Sequence, residues 1–115
     1  MLIAFSLDGN NEKALIDPRF GRCPYFALVD DQNGAVEYVP NPAAGVAVGA
    51  GTGAAQALID KGVAAVVTGQ VGPKALEILE AMQVPIFLVP PGCDFNAAVS
   101  SYREGKLRQY TIQKF

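Results

Sequence analysis

The sequence predicts a single α/β domain with a five-stranded mixed sheet and three flanking helices. The chain has 115 residues, of which 50% are hydrophobic and 17% charged, enough to bury one core. Three apolar segments joined by turn residues come first, and strand–helix units follow. We therefore expect the element order βββαβαβα, in which hairpins make the first three strands antiparallel and crossovers make the later strands parallel.

The first three strands are predicted from apolar runs and from the turn that separates two of them. Residues 2–7 form a run typical of a strand buried on both faces, and residues 25–29 form a second strand. In residues 35–39 the apolar side chains alternate around Glu37, as in a strand with one solvated face. Asn33-Gly34 is expected to supply the positive φ angles of a hairpin turn before the third strand.

The three helices are predicted from the residues at their ends. A glycine-rich loop, residues 45–53, precedes the first helix, and Gly62 follows its last residue. Pro73 suits the first position of the second helix, and Asp94 suits the N-cap of the third. The apolar stripe of the second helix is expected to comprise Leu76, Leu79 and Met82.

The strand order follows from the connections. Strands four and five, residues 63–67 and 84–89, are placed beside strand one by right-handed crossovers, which gives the order 3-2-1-4-5. Pro85 fits an edge position for strand five, and residues 106–115 are expected to form a polar tail with modest strand character. Four loops then converge at the carboxyl ends of the strands, where ligands of open α/β sheets bind: residues 8–24, 40–53, 69–72 and 90–94.

The composition excludes several function classes. The net charge of −2 argues against a broad nucleic-acid-binding surface. No window stays apolar for the roughly 18 residues that a membrane helix needs. Residues 1–6 lack the basic start of a signal peptide. We therefore expect a cytoplasmic protein that binds neither nucleic acid nor membrane and is a monomer or a weak homo-oligomer.

The residues that common enzymatic chemistries need are missing from the sequence. The chain has no histidine, which excludes Ser/His and Cys/His catalysis and histidine zinc sites. Asp8 ends the first strand, but residues 63–68 carry no acid, so a two-metal nuclease with this sheet order is not expected. No nicotinamide or flavin fingerprint is present. We therefore predict a non-catalytic protein, with a cysteine nucleophile as the enzymatic alternative.

Residues 17–26 carry the most distinctive chemistry of the chain, because they hold two arginines and a cysteine in a loop stiffened by two prolines. Arg19 and Arg22 suit an anionic ligand, and they are expected to favour the thiolate of Cys23. Cys93 lies just before a helix start, which is also expected to lower its pKa. Either thiol is a candidate ligand for a soft metal or a cluster, and a small buried residue is the structural alternative.

The helix starts complete the predicted site. All three are expected to open onto the same edge of the sheet, each with a partial positive charge. Backbone N–H groups of glycine-rich segments there can contact an anion. The further candidate binding residues are Gly49, Gly51, Thr52, Gly53, Gly69 and Gly72.

The sequence resembles the dinitrogenase iron–molybdenum cofactor biosynthesis family, the NifX-like group that includes the C-terminal domain of NifB. The resemblance covers essentially the whole chain, and the Arg-Phe-Gly-Arg segment is its most specific part. The segments that carry it are residues 6–9, 19–26, Asn41 with 49–53, 69–72 and 102–107.

This resemblance implies a ribonuclease H-like motif without catalysis. It also implies non-covalent binding of iron–sulfur or iron–molybdenum clusters or their precursors, which are carried between metal-cluster assembly proteins. Some members are thought to bind clusters through histidine, and this chain has none. Any direct ligation would then fall to Cys23 or Cys93, or Arg19, Arg22 and backbone amides would hold the cluster instead.

A second function class remains open at this stage. The chain is also compatible with a regulatory or scaffold module that binds a nucleotide, another small anion or a partner protein. Arg19 and Arg22 would then contact phosphate groups or an acidic partner.

Overall fold

A six-stranded mixed sheet forms the centre of the computed structural model, which describes residues 1–110 of the chain. The strand order is β3-β2-β1-β4-β5-β6. The strands are β1 (Leu2–Leu7), β2 (Tyr25–Asp30), β3 (Val36–Pro40), β4 (Val63–Thr68), β5 (Ile86–Leu88) and β6 (Arg108–Tyr110). The helices are α1 (Ala50–Asp60), α2 (Pro73–Ala81) and α3 (Phe95–Arg103).

The sixth strand corrects the predicted five-stranded sheet, whose order is otherwise confirmed. β6 pairs antiparallel with β5, with Leu88 opposite Arg108, so β5 is not an edge strand. Pro85 lies just before β5 rather than in it. The sequence indicates only modest strand character at β6, because its three residues are polar or aromatic and all exposed, without an apolar alternation. Residues 111–115 of the predicted tail lie outside the described residues, and the ribonuclease H-like designation stays a prediction.

Two hydrophobic cores occupy the two faces of the sheet, because successive strand residues point to opposite sides. Ala4 and Val66 face α1 and α2 and pack in the core that contains Leu58. Phe5 belongs to the other core and meets Phe95 of α3 edge-to-face, with ring centroids 5.5 Å apart. β1 is antiparallel to β2 and parallel to β4, so β1, β3, β4 and β5 point the same way, as predicted.

Local details differ from the sequence predictions at three places. The first helix starts at Ala50, directly after Gly49 at φ 82°, so the expected loop ends earlier than residue 53. Gly34 alone supplies a positive φ in the β2–β3 turn, without Asn33. Met82 follows the end of α2 and is 56% exposed, so it is not part of the apolar stripe.

None of the helices within residues 1–110 combines the length and the apolar character needed to span a membrane.

Candidate functional site

The first loop, residues 8–24, crosses the carboxyl-terminal edge of the sheet from one face to the other. On the α3 side, the Ile16 N–H donates to the Cys93 carbonyl at 2.9 Å, and the Phe95 N–H donates to the Ala14 carbonyl at 3.0 Å. The loop therefore reaches the end of β5, as its length predicts. Its second half lies over the starts of α1 and α2.

A buried polar cluster fastens the middle of this loop to β1 and β4. Ser6 Oγ lies 2.8 Å from the Asp17 carbonyl oxygen and 2.7 Å from Thr68 Oγ1. The Asp17 N–H donates to the Ser6 carbonyl at 2.9 Å. All three residues are buried, and hydrogen bonds in such surroundings are costly to leave unmade. The loop is thus fixed at the point where the candidate site begins.

Two glycines let the loop pack directly on neighbouring backbone. A Cβ added to Gly21 would lie 2.5 Å from the backbone nitrogen of Gly51, in the first turn of α1. A Cβ added to Gly69 would lie 2.8 Å from Pro18 Cα. Backbone atoms cannot swing aside as a flexible side chain can. Gly69 was predicted to contact a ligand. In the structure it packs closely against the backbone of Pro18.

A groove of about 610 Å³ opens where the loop meets the starts of α1 and α2. Gly53 and Gly69, although predicted as binding residues, are not among the residues that line it. Lys74 lines the groove and was missed by sequence reasoning. The predicted residues that do line it are Arg19, Arg22, Gly49, Gly51, Thr52 and Gly72.

The groove is electropositive. Its lining includes the cations Arg19, Arg22 and Lys74 and, within residues 1–110, no carboxylate. Gly49 and Gly72 precede α1 and α2 without a side-chain cap, and neither helix has an acidic residue in its first turn. The N–H groups at these helix starts therefore keep their partial positive charge for a ligand.

The start of α3 differs from those of α1 and α2, because the side-chain cap that the sequence predicts there is formed. The Asp94 carboxylate accepts a hydrogen bond from the Ala97 N–H at 2.7 Å. This confirms Asp94 as the predicted N-cap, and it places a negative charge where the free N–H groups would be. Anion binding at this edge is therefore favoured only on the α1–α2 side.

Arg19 is held by a buried carboxylate. Its Nη2 lies 2.9 Å from Asp17 Oδ2, and its Nε donates to Oδ1 at 3.1 Å. The Asp17 side chain is 2% exposed, whereas that of Arg19 is 64% exposed. The hydrogen bond and the charge of Asp17 raise the pKa of Arg19 above its already high ordinary value. Arg19 is thus a permanent, oriented cation at the groove.

Arg22 binds backbone rather than a carboxylate. Its Nη1 donates to the carbonyls of Ala44, at 3.3 Å, and Val46, and its Nη2 donates to the carbonyl of Ala47 at 3.2 Å. These contacts fasten residues 44–48 beside the groove. In the same segment, Val48 is 88% exposed.

Asn41 joins the first loop to the segment that precedes α1. Its Nδ2 donates to the carbonyls of Gly21, at 3.0 Å, and Cys23, at 2.9 Å. Its Oδ1 accepts from the Ala43 N–H at 3.0 Å. One buried amide therefore satisfies three backbone groups, which gives a physical reason for an asparagine in the segment that carries the family resemblance.

Cys23 lies beneath the loop rather than in the groove. It is fully buried in the core beside α1 and α2, and its Sγ lies 3.3 Å from the Phe20 carbonyl oxygen. Burial, with the nearby charge of Asp17, raises the pKa of the thiol to about 12. The thiolate expected at neutral pH is therefore wrong, because burial of the thiol disfavours its charged form.

Cys93 lies on the opposite face of the sheet, against the core that α3 covers. Partial burial and the charge of Asp94 raise the pKa of its thiol, contrary to the expected lowering. The two cysteines therefore face different cores. Across residues 1–110, no group of three or more cysteine, aspartate or glutamate side chains is placed to hold a metal ion. The geometry is suited to binding an anion through charge and N–H groups.

Similar proteins cover nearly the whole chain. The apo form of the orange protein from Desulfovibrio gigas is 36% identical, with a TM-score of 0.90 over 96% of this chain and 92% of that one. An NMR structure from Thermotoga, provisionally assigned as a NifB protein of the DUF35 family, is 28% identical, with a TM-score of 0.83 over 99% and 97%. An uncharacterised protein of Methanocaldococcus jannaschii is 28% identical over 113 residues, 96% of this chain and 92% of that protein.

The match to a protein family is as extensive. The family described as dinitrogenase iron-molybdenum cofactor matches residues 1–105, which include the first loop, the groove and all three helices. The resemblance seen in the sequence is thereby confirmed. The chain belongs to the dinitrogenase iron-molybdenum cofactor family.

Proposed function

We propose that the groove holds an anionic iron–sulfur or iron–molybdenum cluster, or a precursor of one, as cargo during metal-cofactor biosynthesis. The observation that carries this proposal is the meeting of Arg19, Lys74 and two uncapped helix starts at one groove. The family and the Thermotoga relative assigned to NifB support a role in cofactor binding or assembly. In this role the protein is a carrier and performs no catalysis.

The chemistry of the groove suits such a cargo. Metal–sulfur clusters carry net negative charge, which exposed cations and helix N-termini stabilise. The volume of about 610 Å³ falls within the range of small-molecule sites. Phe20 and Val71 add apolar lining, which matches the weak hydrogen-bonding capacity of sulfur. Gly49, Gly51, Thr52 and Gly72 bring backbone N–H groups close to the cargo.

Holding by charge and N–H groups fits the chain better than ligation by thiolates. Cys23 is buried with a pKa of about 12, and Cys93 lies on the other face of the sheet. Direct ligation by either cysteine stays a prediction, as do roles for Gly53 and Gly69. In this proposal the partners are metal-cluster assembly proteins. The protein acts in the cytoplasm as a monomer or a weak homo-oligomer.

Anaerobic reconstitution with iron, sulfide and molybdate tests the proposal. Wild-type protein is expected to retain metal and sulfide after desalting. A Cys23→Ala/Cys93→Ala variant that remains folded is expected to retain similar amounts, because neither thiol lines the groove. If the wild type retains no more metal than an unrelated acidic protein, the cargo proposal fails. If only the cysteine variant loses metal, ligation by thiolates replaces holding by cations.

Lys74→Gln tests the electrostatic part of the proposal. Lys74 makes no ion pair within the described chain, so the substitution removes one positive charge and leaves no carboxylate unpaired. The affinity for tetrathiomolybdate, a simple molybdenum–sulfur dianion, is expected to fall about fivefold, or roughly 1 kcal/mol. Lys61→Gln, at the far end of α1, is the matched control and should leave affinity unchanged. Equal affinities of the two variants would contradict the placement of the cargo.

A nucleotide or another phosphate-bearing effector is the second candidate for the groove. Two uncapped helix starts beside arginine and lysine also suit phosphate oxygens. A thermal-shift screen separates the two functions, because a specific ligand raises the melting temperature by mass action. Stabilisation by a nucleotide, without retention of metal in the reconstitution, would favour a regulatory or scaffold role.

A further inference from the structure

Asp17 is a buried carboxylate whose hydrogen bonds go to one residue. Oδ1 accepts from the backbone N–H of Arg19 at 2.8 Å and from its Nε at 3.1 Å, and Oδ2 accepts from Nη2 at 2.9 Å. Its backbone is fixed independently through Ser6. The carboxylate is therefore a rigid support beneath an exposed guanidinium.

This pairing leaves one side of the Arg19 guanidinium available. A guanidinium has five N–H groups, and two of them are used by the Asp17 carboxylate. Nη1 has no hydrogen-bond partner within residues 1–110, and Arg19 lines the groove. A ligand can thus meet a guanidinium whose orientation is already set, so that less side-chain freedom is lost on binding.

We propose that Asp17 is a positioning residue, which holds the Arg19 guanidinium in the orientation that binds an anion in the groove. This inference rests on the proposed function, because it assigns a part in the same site to a residue that does not line it. Asp17 acts through Arg19 and does not touch the cargo.

Positioning by Asp17 and simple electrostatics predict opposite effects of Asp17→Asn on the affinity for an anion. Asp17 is itself negative, so removing its charge should strengthen anion binding if charge alone mattered. Asp17→Asn keeps the side-chain shape and can keep the hydrogen bond from the Arg19 N–H. It places an amide N–H₂ group or an uncharged oxygen against the guanidinium, so the two-pronged ion pair is lost. Positioning therefore predicts weaker binding from a variant that makes the groove more positive.

Equilibrium dialysis of tetrathiomolybdate, with molybdenum determined on both sides, measures the effect. Asp17→Asn is expected to weaken binding about tenfold, the scale of a lost charge-assisted hydrogen bond. Arg19→Lys should weaken it to a similar degree, because lysine keeps the charge but cannot form the planar two-pronged pair. Binding by Asp17→Asn that is equal to or tighter than that of the wild type would overturn the proposal.

A double-mutant cycle separates positioning from general damage to the loop. In an Arg19→Gln background, Asp17→Asn has no guanidinium to position, so its further effect on affinity should be less than about twofold. A further loss of about tenfold in that background would show that Asp17 acts through the loop backbone, and the proposal would fail. Thermal unfolding of each variant identifies any that does not fold.

Hydrogen exchange of the Arg19 side chain, measured without ligand, tests the positioning role of Asp17 independently of which cargo the groove binds. The Arg19 Nε–H signal in NMR is expected to exchange slowly with water in the wild type and rapidly in Asp17→Asn. The Arg22 guanidinium, which binds backbone carbonyls, is the internal reference and should not change. Unchanged Arg19 exchange would contradict positioning whatever the ligand is. Absence of tetrathiomolybdate binding by the wild type, with the Arg19 change present, would contradict the proposed cargo instead.

Discussion

The helix N-termini at one edge of the sheet differ between its two faces, because α3 has a side-chain cap whereas α1 and α2 have none. Asp94 caps α3 with a carboxylate that accepts the Ala97 N–H. Gly49 and Gly72 precede α1 and α2 and offer no side chain to the free N–H groups. An aspartate at the N-cap stabilises a helix by only roughly a few tenths of a kcal/mol more than a glycine does, so the α1–α2 side loses little stability by lacking side-chain caps. The difference indicates that the positive edge is kept open on the face that carries the groove.

The two cysteines also lie on different sides of the sheet. Cys23 lies under the groove in the α1–α2 core, and Cys93 lies beside the capped start of α3. Burial is the main cause that raises the pKa of both thiols. A thiolate is therefore not available to a ligand on either side, and the backbone N–H groups and cations that could meet one lie on the α1–α2 side.

The largest effect on stability is expected from Gly21→Ala, which breaks the contact that forms the groove wall. The new Cβ would lie 2.5 Å from Gly51 N and 2.9 Å from Ala50 C, so the loop and α1 must separate. We expect a loss of about 2–3 kcal/mol in the free energy of unfolding, as for an overpacked site. Urea denaturation measures it, and Gly45→Ala, which meets nothing within 4 Å, is the matched control. Similar stabilities of the two variants would show that the loop does not pack tightly on α1.

A smaller effect is expected on the α3 side from Asp94→Ala. The lost cap should lower the free energy of unfolding by about 1 kcal/mol. Anion affinity of the groove should stay within twofold of the wild type, because Asp94 does not line it. Equilibrium dialysis of tetrathiomolybdate together with urea denaturation checks both expectations. A strong gain in anion binding would contradict the assignment, because it would reveal a competing site at the uncapped α3.

The sheet was largely predictable from the sequence because its order depends on connection lengths. The Asn33-Gly34 turn predicts a hairpin, and the segments around the two later strands predict crossovers, so the order of five strands followed. The modest strand character predicted for the tail was right at β6, but its place in the sheet was not predicted, because its pairing with β5 comes from tertiary contact and its three residues carry no periodic signal. The start of α1 was placed too late because Gly51 and Gly53 are typical loop residues. In the structure they lie in a helical turn that packs against Gly21 and Ala43.

The candidate site was predictable at the level of segments but not of side-chain directions. Arg19, Arg22 and the glycines before α1 and α2 were found because the topology brings their loops to one edge. Lys74 could have been found, since it follows Pro73 in the first turn of a helix that starts at that edge. The thiolate prediction for Cys23 failed because no sequence pattern shows that the thiol is fully buried, with the negative charge of Asp17 nearby.

Capping α2 tests whether the open helix starts hold the cargo. Gly72 has φ −74° and ψ 164°, and a Cβ there meets nothing within 4 Å, so Gly72→Asp is sterically compatible. The new carboxylate can cap α2 as Asp94 caps α3. It would also place a negative charge in the groove.

Tetrathiomolybdate affinity of Gly72→Asp is the deciding measurement, with Gly72→Asn as the uncharged capping control. We expect Gly72→Asp to be as stable as the wild type or slightly more stable, because a cap is gained and a flexible glycine is lost. Its affinity for the anion should fall more than about tenfold, and that of Gly72→Asn should fall less. Wild-type affinity in a folded Gly72→Asp protein would contradict the account, because a carboxylate at an open helix start would then leave the cargo undisturbed.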